Sequence, residues 1–216
     1  YLEIRRLIDR ATRWFLVTRG SGLNIVAEQR RLQPLVSSIS AQVPTMLKGH
    51  ESARWGDRAQ QLRDRGVPQD LAEDVAALLD VFSLLDIADI AERSKCEPGV
   101  AARMYFRLSE AYNIDWMLSC ITALPRDERW STLARSALRA DVYAALSQLT
   151  ARVLRSTDVN ADEASRVAAW EATHSDAVTQ ARQTLAEVAS TEVADIAVLS
   201  VALRAIRTLL ARSESR

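Results

Sequence analysis

The sequence predicts an all-α fold: a multi-helix domain with one long central helix and a C-terminal αα-hairpin. Three observations carry this. Apolar residues recur at steps of three and four along nearly every segment, which is the period of one helix face. No segment shows sustained alternation with β-branched enrichment, so no sheet is expected. Breaks such as Gly20-Ser21-Gly22, Gly66-Val67-Pro68 and Pro125 divide the periodic stretches. Roughly eight to ten helices follow.

The element to which the others are fitted is Asp127 to Arg155. Trp130, Leu133, Ala134, Ala137, Leu138, Val142, Ala145, Leu146, Leu149 and Val153 share one face there, uninterrupted by Gly or Pro. Pro125 stops the preceding segment, Asp127 is placed to cap, and Glu128 suits the positive end of the helix dipole. Such a helix runs ~40 Å. A stripe of that length is expected to find apolar partners from end to end.

Before it, Ile4, Leu7, Ile8, Ala11, Trp14 and Phe15 mark a first amphipathic helix closed by Gly20-Ser21-Gly22. Asn24 is placed to cap a second helix, which Pro34 should kink or split. Pro44 marks the next boundary, ahead of a polar, Arg-rich helix reaching about Arg65. Gly66-Val67-Pro68 stops that helix and starts one bearing Leu71, Val75, Leu78 and Leu79. A helix from about Ser83 to Ser94 follows, then a turn at Cys96-Glu97-Pro98-Gly99 and a helix from Val100 to Tyr112. Asn113 is expected to end it left-handed, and Asp115 to cap a short helix with Trp116, Leu118 and Ile121.

Beyond the central helix, Ser156 to Asp158 reads as a linker and Asn160 with Glu163 as a capping box. The next helix places Val167, Trp170, His174, Ala177, Ala181, Leu185 and Val188 on one seam. Ser190-Thr191 offers a new start for a last helix with Ile196, Leu199, Leu203, Ile206 and Leu210. Near-heptad steps favour a fold-back hairpin; a single continuous helix is the rival, since no Gly or Pro marks the corner.

The formal net charge is zero, which argues against nucleic acid and anionic membranes as partners. Only Lys48 and Lys95 are lysines, so the basic residues are nearly all Arg. Either Arg serves bidentate contacts at interfaces, or the bias reflects a GC-rich genome. Cys96 and Cys120 are too few for a disulfide framework or zinc cluster and read as reduced thiols of a cytoplasmic protein. No apolar run reaches ~18 residues, so no membrane span is expected. Tyr1 lies inside a helical pattern with no initiator Met, as in a piece of something longer.

The sequence carries few chemical motifs. No phosphate loop, dinucleotide fingerprint, H-E-x-x-H or CxxC occurs. His174 reads as a polar residue on an interhelical seam and His50 as solvated. Asp86, Asp89 and Glu92 form a carboxylate row that reads as a solvated or Arg-paired face, because a metal site needs further oxygen ligands. Trp14, Trp55, Trp116, Trp130 and Trp170 are expected mostly as core anchors, with room for one to meet a partner. No catalytic, cofactor-binding or metal-binding residue is assigned.

One segment resembles a helix-turn-helix. Ile87 to Ser94, a short turn and Pro98 to Arg103 have the right lengths, and Ala91 suits its position. Lys95 stands where that motif usually has Gly, and the would-be reading helix is apolar at Met104, Tyr105, Phe106 and Leu108. A DNA-binding regulator using residues 87–112 is the alternative reading. In a reader, Arg103 and Arg107 project to solvent with Tyr105 and Phe106 partly free; in a structural corner those aromatics are buried.

Several segments, in order, resemble the C-terminal helical region of the large bacterial NAD-specific glutamate dehydrogenases. They are Thr12-Arg13-Trp14 with Leu16, Gly66-Val67-Pro68 with Leu71, Leu85-Asp86-Ile87 leading to Ala91, and Arg103-Met104-Tyr105-Phe106-Arg107-Leu108. Asp115-Trp116, Arg129-Trp130 with Leu133-Ala134-Arg135, Ala137-Leu138-Arg139, Leu149-Thr150 and Leu199 to Arg204 continue the series. The chain departs at Ala140, where an acidic residue is expected before Asp141, and over 43–65, which has no matching pattern. The resemblance implies a C-terminal domain over 1–216, which the linker and helix pattern divide into a main body over 1–156 and a hairpin over 157–216. It further implies an upstream catalytic domain that oxidises L-glutamate to 2-oxoglutarate and ammonia with NAD, in a cytoplasmic homo-oligomer. None of the catalytic or NAD-binding motifs falls in this segment.

Overall fold

The computed structural model describes residues 27, 30, 31, 33, 34, 39, 42–47, 49–77, 81–125, 129–191 and 194–213, and every regular element among them is an α-helix. The fold is all-α, as the periodicity requires. Two compact units divide the chain, Tyr1–Arg103 and Met104–Arg216. The expected helix over 4–18, its Gly20-Ser21-Gly22 stop and the Asn24 cap lie outside the described residues, and around Pro34 only scattered positions are described.

The first unit contains α1 Val43–Met46, α2 Gly49–Asp64, α3 Gln69–Ala77, α4 Val81–Ser94 and the start of α5, Pro98–Ala111. Pro44 lies in the first turn of α1, where its missing N–H costs nothing. Helix α2 stops where the sequence says it should. Gly66 takes φ 84°, its N–H reaches the Arg63 carbonyl at 2.8 Å, and the Val67 N–H reaches Leu62 at 3.1 Å. The Pro68 carbonyl then receives the Ala72 N–H and opens α3, which packs back on α2. Leu84, Ile87, Ala88, Ile90 and Ala91 of α4 are buried at the three-four spacing. The expected turn over 96–99 is shorter than predicted, because Pro98 and Gly99 already belong to α5. Proline's fixed φ suits a first helical position, and the Glu97 carbonyl takes the Val100 and Ala101 N–H groups.

The second unit is built from the rest of α5, α6 Ile114–Ala123, α7 Arg129–Ser156, α8 Glu163–Thr173, α9 Ser175–Ala189 and α10 Ile196–Arg212. Asn113 is left-handed at φ 53°, as expected, but it is also the residue that opens α6. Asp115 is not the cap; it is the second residue of the helix, in its first turn, and is buried. Helix α7 is the predicted central element, with α6, α8 and α10 packed against it. Leu138, Val142, Ala145, Leu146, Leu149 and Val153 are buried. Its expected apolar cover, however, does not extend from end to end: Trp130 is 72% exposed and Leu133 48%. The stripe read as one face is two, since 3.6 residues per turn rotate Trp130 and Leu133 away from Leu149 and Val153.

The C-terminal hairpin is present. Helix α9 ends with the Ser190 N–H on the Ala186 carbonyl, and α10 packs back along it. Val178, Ala181, Leu185 and Val188 of α9 and Leu199, Leu203, Ile206 and Leu210 of α10 are all buried, and the two helices pack on each other. The corner needs no Gly, because Asp195 starts α10 by accepting the Val198 N–H at 2.8 Å. Ser190-Thr191 therefore ends a helix rather than starting one. The predicted single helix carrying Val167 to Val188 is broken at His174, whose φ of −119° and ψ of 30° leave the helical region. Asp162 replaces the expected capping box at 160–163. Its carboxylate accepts the Ala164 and Ser165 N–H groups at 2.9 and 3.0 Å, whereas Asn160 only turns onto Asp158.

Candidate functional site

The helix-turn-helix segment is the first place to look for activity. Helix α4 ends with Lys95 at φ 51°; the Lys95 N–H binds the Glu92 carbonyl at 3.2 Å and the Cys96 N–H binds Ala91 at 3.1 Å. These are the two bonds of a left-handed helix stop, so Lys95 adopts the conformation for which Gly is usually selected. The corner forms, but the following helix is not a reader. Tyr105 and Phe106 are each 1% exposed and meet edge to face, with centroids 5.7 Å apart. Met104 and Leu108 are fully buried, and only Arg103 and Arg107 of this run face solvent. The buried aromatics mark a structural corner, so the DNA-binding alternative is not favoured.

Two of the three carboxylates in the row are paired with arginine. Asp89 is buried and paired with Arg93 one turn on at 2.7 Å, and Glu92 pairs with Arg31. Among the described residues no group of three His, Cys, Asp or Glu is arranged to hold a metal ion. His174 lies at the helix break. Its Nδ1–H donates to the Trp170 carbonyl at 2.8 Å, which fixes the tautomer, and its ring lies 4.6 Å from that of Trp170. Neither Cys96 nor Cys120 forms a disulfide, and both are half-buried; burial pushes the Cys120 thiol up, with the Ser119 hydroxyl opposing. The raised value makes this thiol a poor nucleophile. No helix of the described residues is long and apolar enough to cross a membrane.

The polar constellation with the most chemistry joins the residue just past α5 to α8 and α9. Glu171 accepts the Tyr112 hydroxyl at 3.1 Å and Arg182 Nη2 at 2.8 Å on the same oxygen, while the Arg182 guanidinium lies 5.9 Å from the centre of the Tyr112 ring. Burial, then the Glu171 charge, drives the Tyr112 hydroxyl well above its ordinary range. A tyrosine held neutral this firmly donates one hydrogen bond and does not serve as a base. The trio clamps three helices. No sequence signal exposed it, because its members lie 59 and 11 residues apart.

Arginine has a further recurrent use that sequence reading missed. Arg135 donates to the Thr122 and Leu124 carbonyls at the end of α6, and Arg139 to the Thr122 hydroxyl at 2.8 Å. Arg152 donates to the Leu210 carbonyl and to Ser213 Oγ at the end of α10. Arg166, 2% exposed, donates to the Leu154 carbonyl at 2.6 Å and to Thr157 Oγ1 at 2.9 Å at the end of α7. Arg135, Arg152 and Arg166 supply a cation and donors to helix-end carbonyls that have no partner inside their own helix, and Arg139 holds the Thr122 side chain beside one of them. These contacts organise the fold. They do not enclose a substrate.

Comparison with known proteins supplies what the side chains do not. The family model for "Glutamate dehydrogenase, C-terminal" matches residues 1–208. The NAD-specific glutamate dehydrogenase of Mycobacterium tuberculosis is 37% identical over 208 residues, 96% of this chain and 13% of that protein. That of Pseudomonas aeruginosa is 31% identical over 212 residues, 98% of this chain and 13% of the relative. That of Halomonas elongata is 29% identical over 203 residues, 94% and 12% respectively. The chain thus spans about one eighth of the length of the curated relatives it matches.

Proposed function

We propose a role from one premise: the chain belongs to the glutamate dehydrogenase C-terminal family. It serves as the non-catalytic C-terminal helical part of a longer NAD-dependent glutamate dehydrogenase. That enzyme converts L-glutamate, NAD+ and water to 2-oxoglutarate, ammonia and NADH. Its catalytic domain and NAD site belong to the same polypeptide, outside these 216 residues, and no residue here takes a catalytic, cofactor-binding or metal-binding role. The segment stabilises or regulates the catalytic part and contributes to a cytoplasmic homo-oligomer. Residues 1–156 act as its main body and 157–216 as a C-terminal hairpin part.

The observation that carries this reading is the match over 1–208 by a chain that covers only 12–13% of each relative. The side-chain chemistry supports it, since the arginines and carboxylates described above serve helix ends and ion pairs. The test is glutamate-dependent NAD reduction by the full-length protein, by a version ending before Tyr1, and by the segment alone. The expected result is an active full-length protein, an inactive segment, and a truncated protein with altered rate, effector response or oligomer size. Turnover by the segment overturns the non-catalytic role. A full-length protein without turnover overturns the enzyme.

A further inference from the structure

Helix α7 has a second apolar face that its own unit leaves uncovered. Trp130, Leu133, Ala137, Ala140 and Ala144 succeed one another at steps of three, four, three and four, and all five are exposed. Those steps place them in one line along the helix, the spacing by which a seam receives another helix. The buried row of Val142, Leu149 and Val153 lies on roughly the opposite side. Trp130 is 72% exposed, with the Arg129 guanidinium 5.6 Å from its ring centre, and Leu133 is 48% exposed. The three alanines beyond them allow a second backbone to come close. Asp141, beside this line, is engaged by Arg207 of α10 at 2.9 Å.

We propose that this face docks the segment onto the preceding, catalytic part of its own polypeptide by receiving an amphipathic helix from it. The inference rests on the function proposed above. Two observations select this occupant over a second copy of the chain. Each relative is about eight times as long as this chain, so on that reading most of the polypeptide lies outside these residues. The face is also small. One tryptophan, one leucine and three alanines offer on the order of 300–400 Å² of apolar surface. Separate chains in a stable complex bury about 800 Å² each. A tethered partner, at an effective concentration near ~1 mM, needs far less.

The test uses the full-length protein with Leu133→benzoylphenylalanine, prepared as a mixture of isotope-labelled and unlabelled chains, irradiated and mapped by mass spectrometry. Val159→benzoylphenylalanine, at an exposed position off this face, is the control. The expected result is an efficient Leu133 cross-link, within one chain, to residues preceding Tyr1, and few from Val159. Mixed-isotope cross-links between chains overturn the proposal in favour of a second copy. Cross-links confined to this segment, or none, overturn it in favour of a solvent-facing helix. Glutamate-dependent NAD reduction by the unmodified protein is measured alongside. A protein that turns over glutamate but gives no such cross-link removes the docking face alone; a protein without turnover removes the enzyme assignment.

Discussion

Arg166→Ala is expected to destabilise the chain by about 3 kcal/mol. The guanidinium is buried and makes two bonds, at 2.6 Å to the Leu154 carbonyl and 2.9 Å to Thr157 Oγ1. Leu154 lies in the last turn of α7, so its carbonyl has no partner in its own helix. Thr157 in turn donates its hydroxyl proton to the Val153 carbonyl, so one side chain serves two helix-end carbonyls, one of them through a relay. A hydrogen bond involving a charged group contributes ~1.5–3 kcal/mol. The helix dipole adds up to about 1 kcal/mol, partly counted in the first bond already. Against this stands the desolvation of the buried cation, which truncation relieves. At ~2–4 °C per kcal/mol for a chain of this size, the melting temperature should fall by roughly 6–12 °C. Urea unfolding followed by circular dichroism measures it, with Arg166→Met as the arbiter because methionine keeps an apolar stem and no donors. The polar argument requires Arg166→Met to lose most of what Arg166→Ala loses. If Arg166→Met stays within ~0.5 kcal/mol of the parent while Arg166→Ala does not, stem packing is the cause and the capping account is refuted.

Other outcomes follow from the same structure. Within α7, Leu149→Ala should cost about 2–5 kcal/mol and Leu133→Ala less than ~0.5 kcal/mol in this segment, as compared by urea midpoints, because the first is fully buried and the second is not. Lys95→Gly should stabilise by roughly 0.5–1 kcal/mol, since φ 51° strains an L side chain and suits glycine; a loss of stability would show that the lysine makes a compensating contact. Asp162→Asn tests the cap of α8 by pH. The Ser165 hydroxyl, with the Ser165 and Ala164 N–H groups, holds this carboxyl below its ordinary 3.8. A depressed value in the folded state gives stability that is present above 3.8 and lost as pH falls through the folded value. The parent should therefore melt above the Asn variant at neutral pH and converge with it in acid, and a pH-independent gap would contradict the assignment.

How much was legible in the sequence depends on how local its cause is. Gly66-Val67-Pro68 specified a helix stop and start because both are set by backbone dihedrals of three neighbours, and the bonds at Leu62 and Arg63 follow. Helix existence was equally local: α4, α7 and α10 lie where three-four periodicity puts them. Caps were read less well, since several polar residues compete within a turn. Asp162 displaced Asn160, and Asp195 displaced Ser190, because a carboxylate directly before the first helical residue reaches the second and third N–H groups. The break at His174 and the exposure of Trp130 were not legible. The first is accompanied by a ring hydrogen bond to Trp170 that periodicity does not register, and the second depends on where neighbouring helices stop covering α7. The absence of a catalytic constellation left function to the family resemblance, which the matches over 1–208 then carried.

The arginine bias itself acquires a physical reading at particular positions. The ends of α6, α7 and α10 each receive arginine from another helix: Arg135 with Arg139, Arg166, and Arg152. A helix end packed inside a bundle cannot leave its carbonyls to water, and a donor must arrive from outside the helix. Arginine suits that task because its fork reaches two acceptors at once, as Arg152 reaches Leu210 and Ser213, and as Arg166 reaches Leu154 and Thr157. Lysine, a single ammonium on a flexible stem, cannot hold two acceptors in a fixed geometry. Genome composition can set how many arginines a chain carries, but it does not decide that these four point at helix ends. The second unit thus closes these helix termini with its own cations, and at the end of α7 the closing contact is buried. That leaves the exposed line from Trp130 to Ala144 as the part of α7 that the unit does not use for itself.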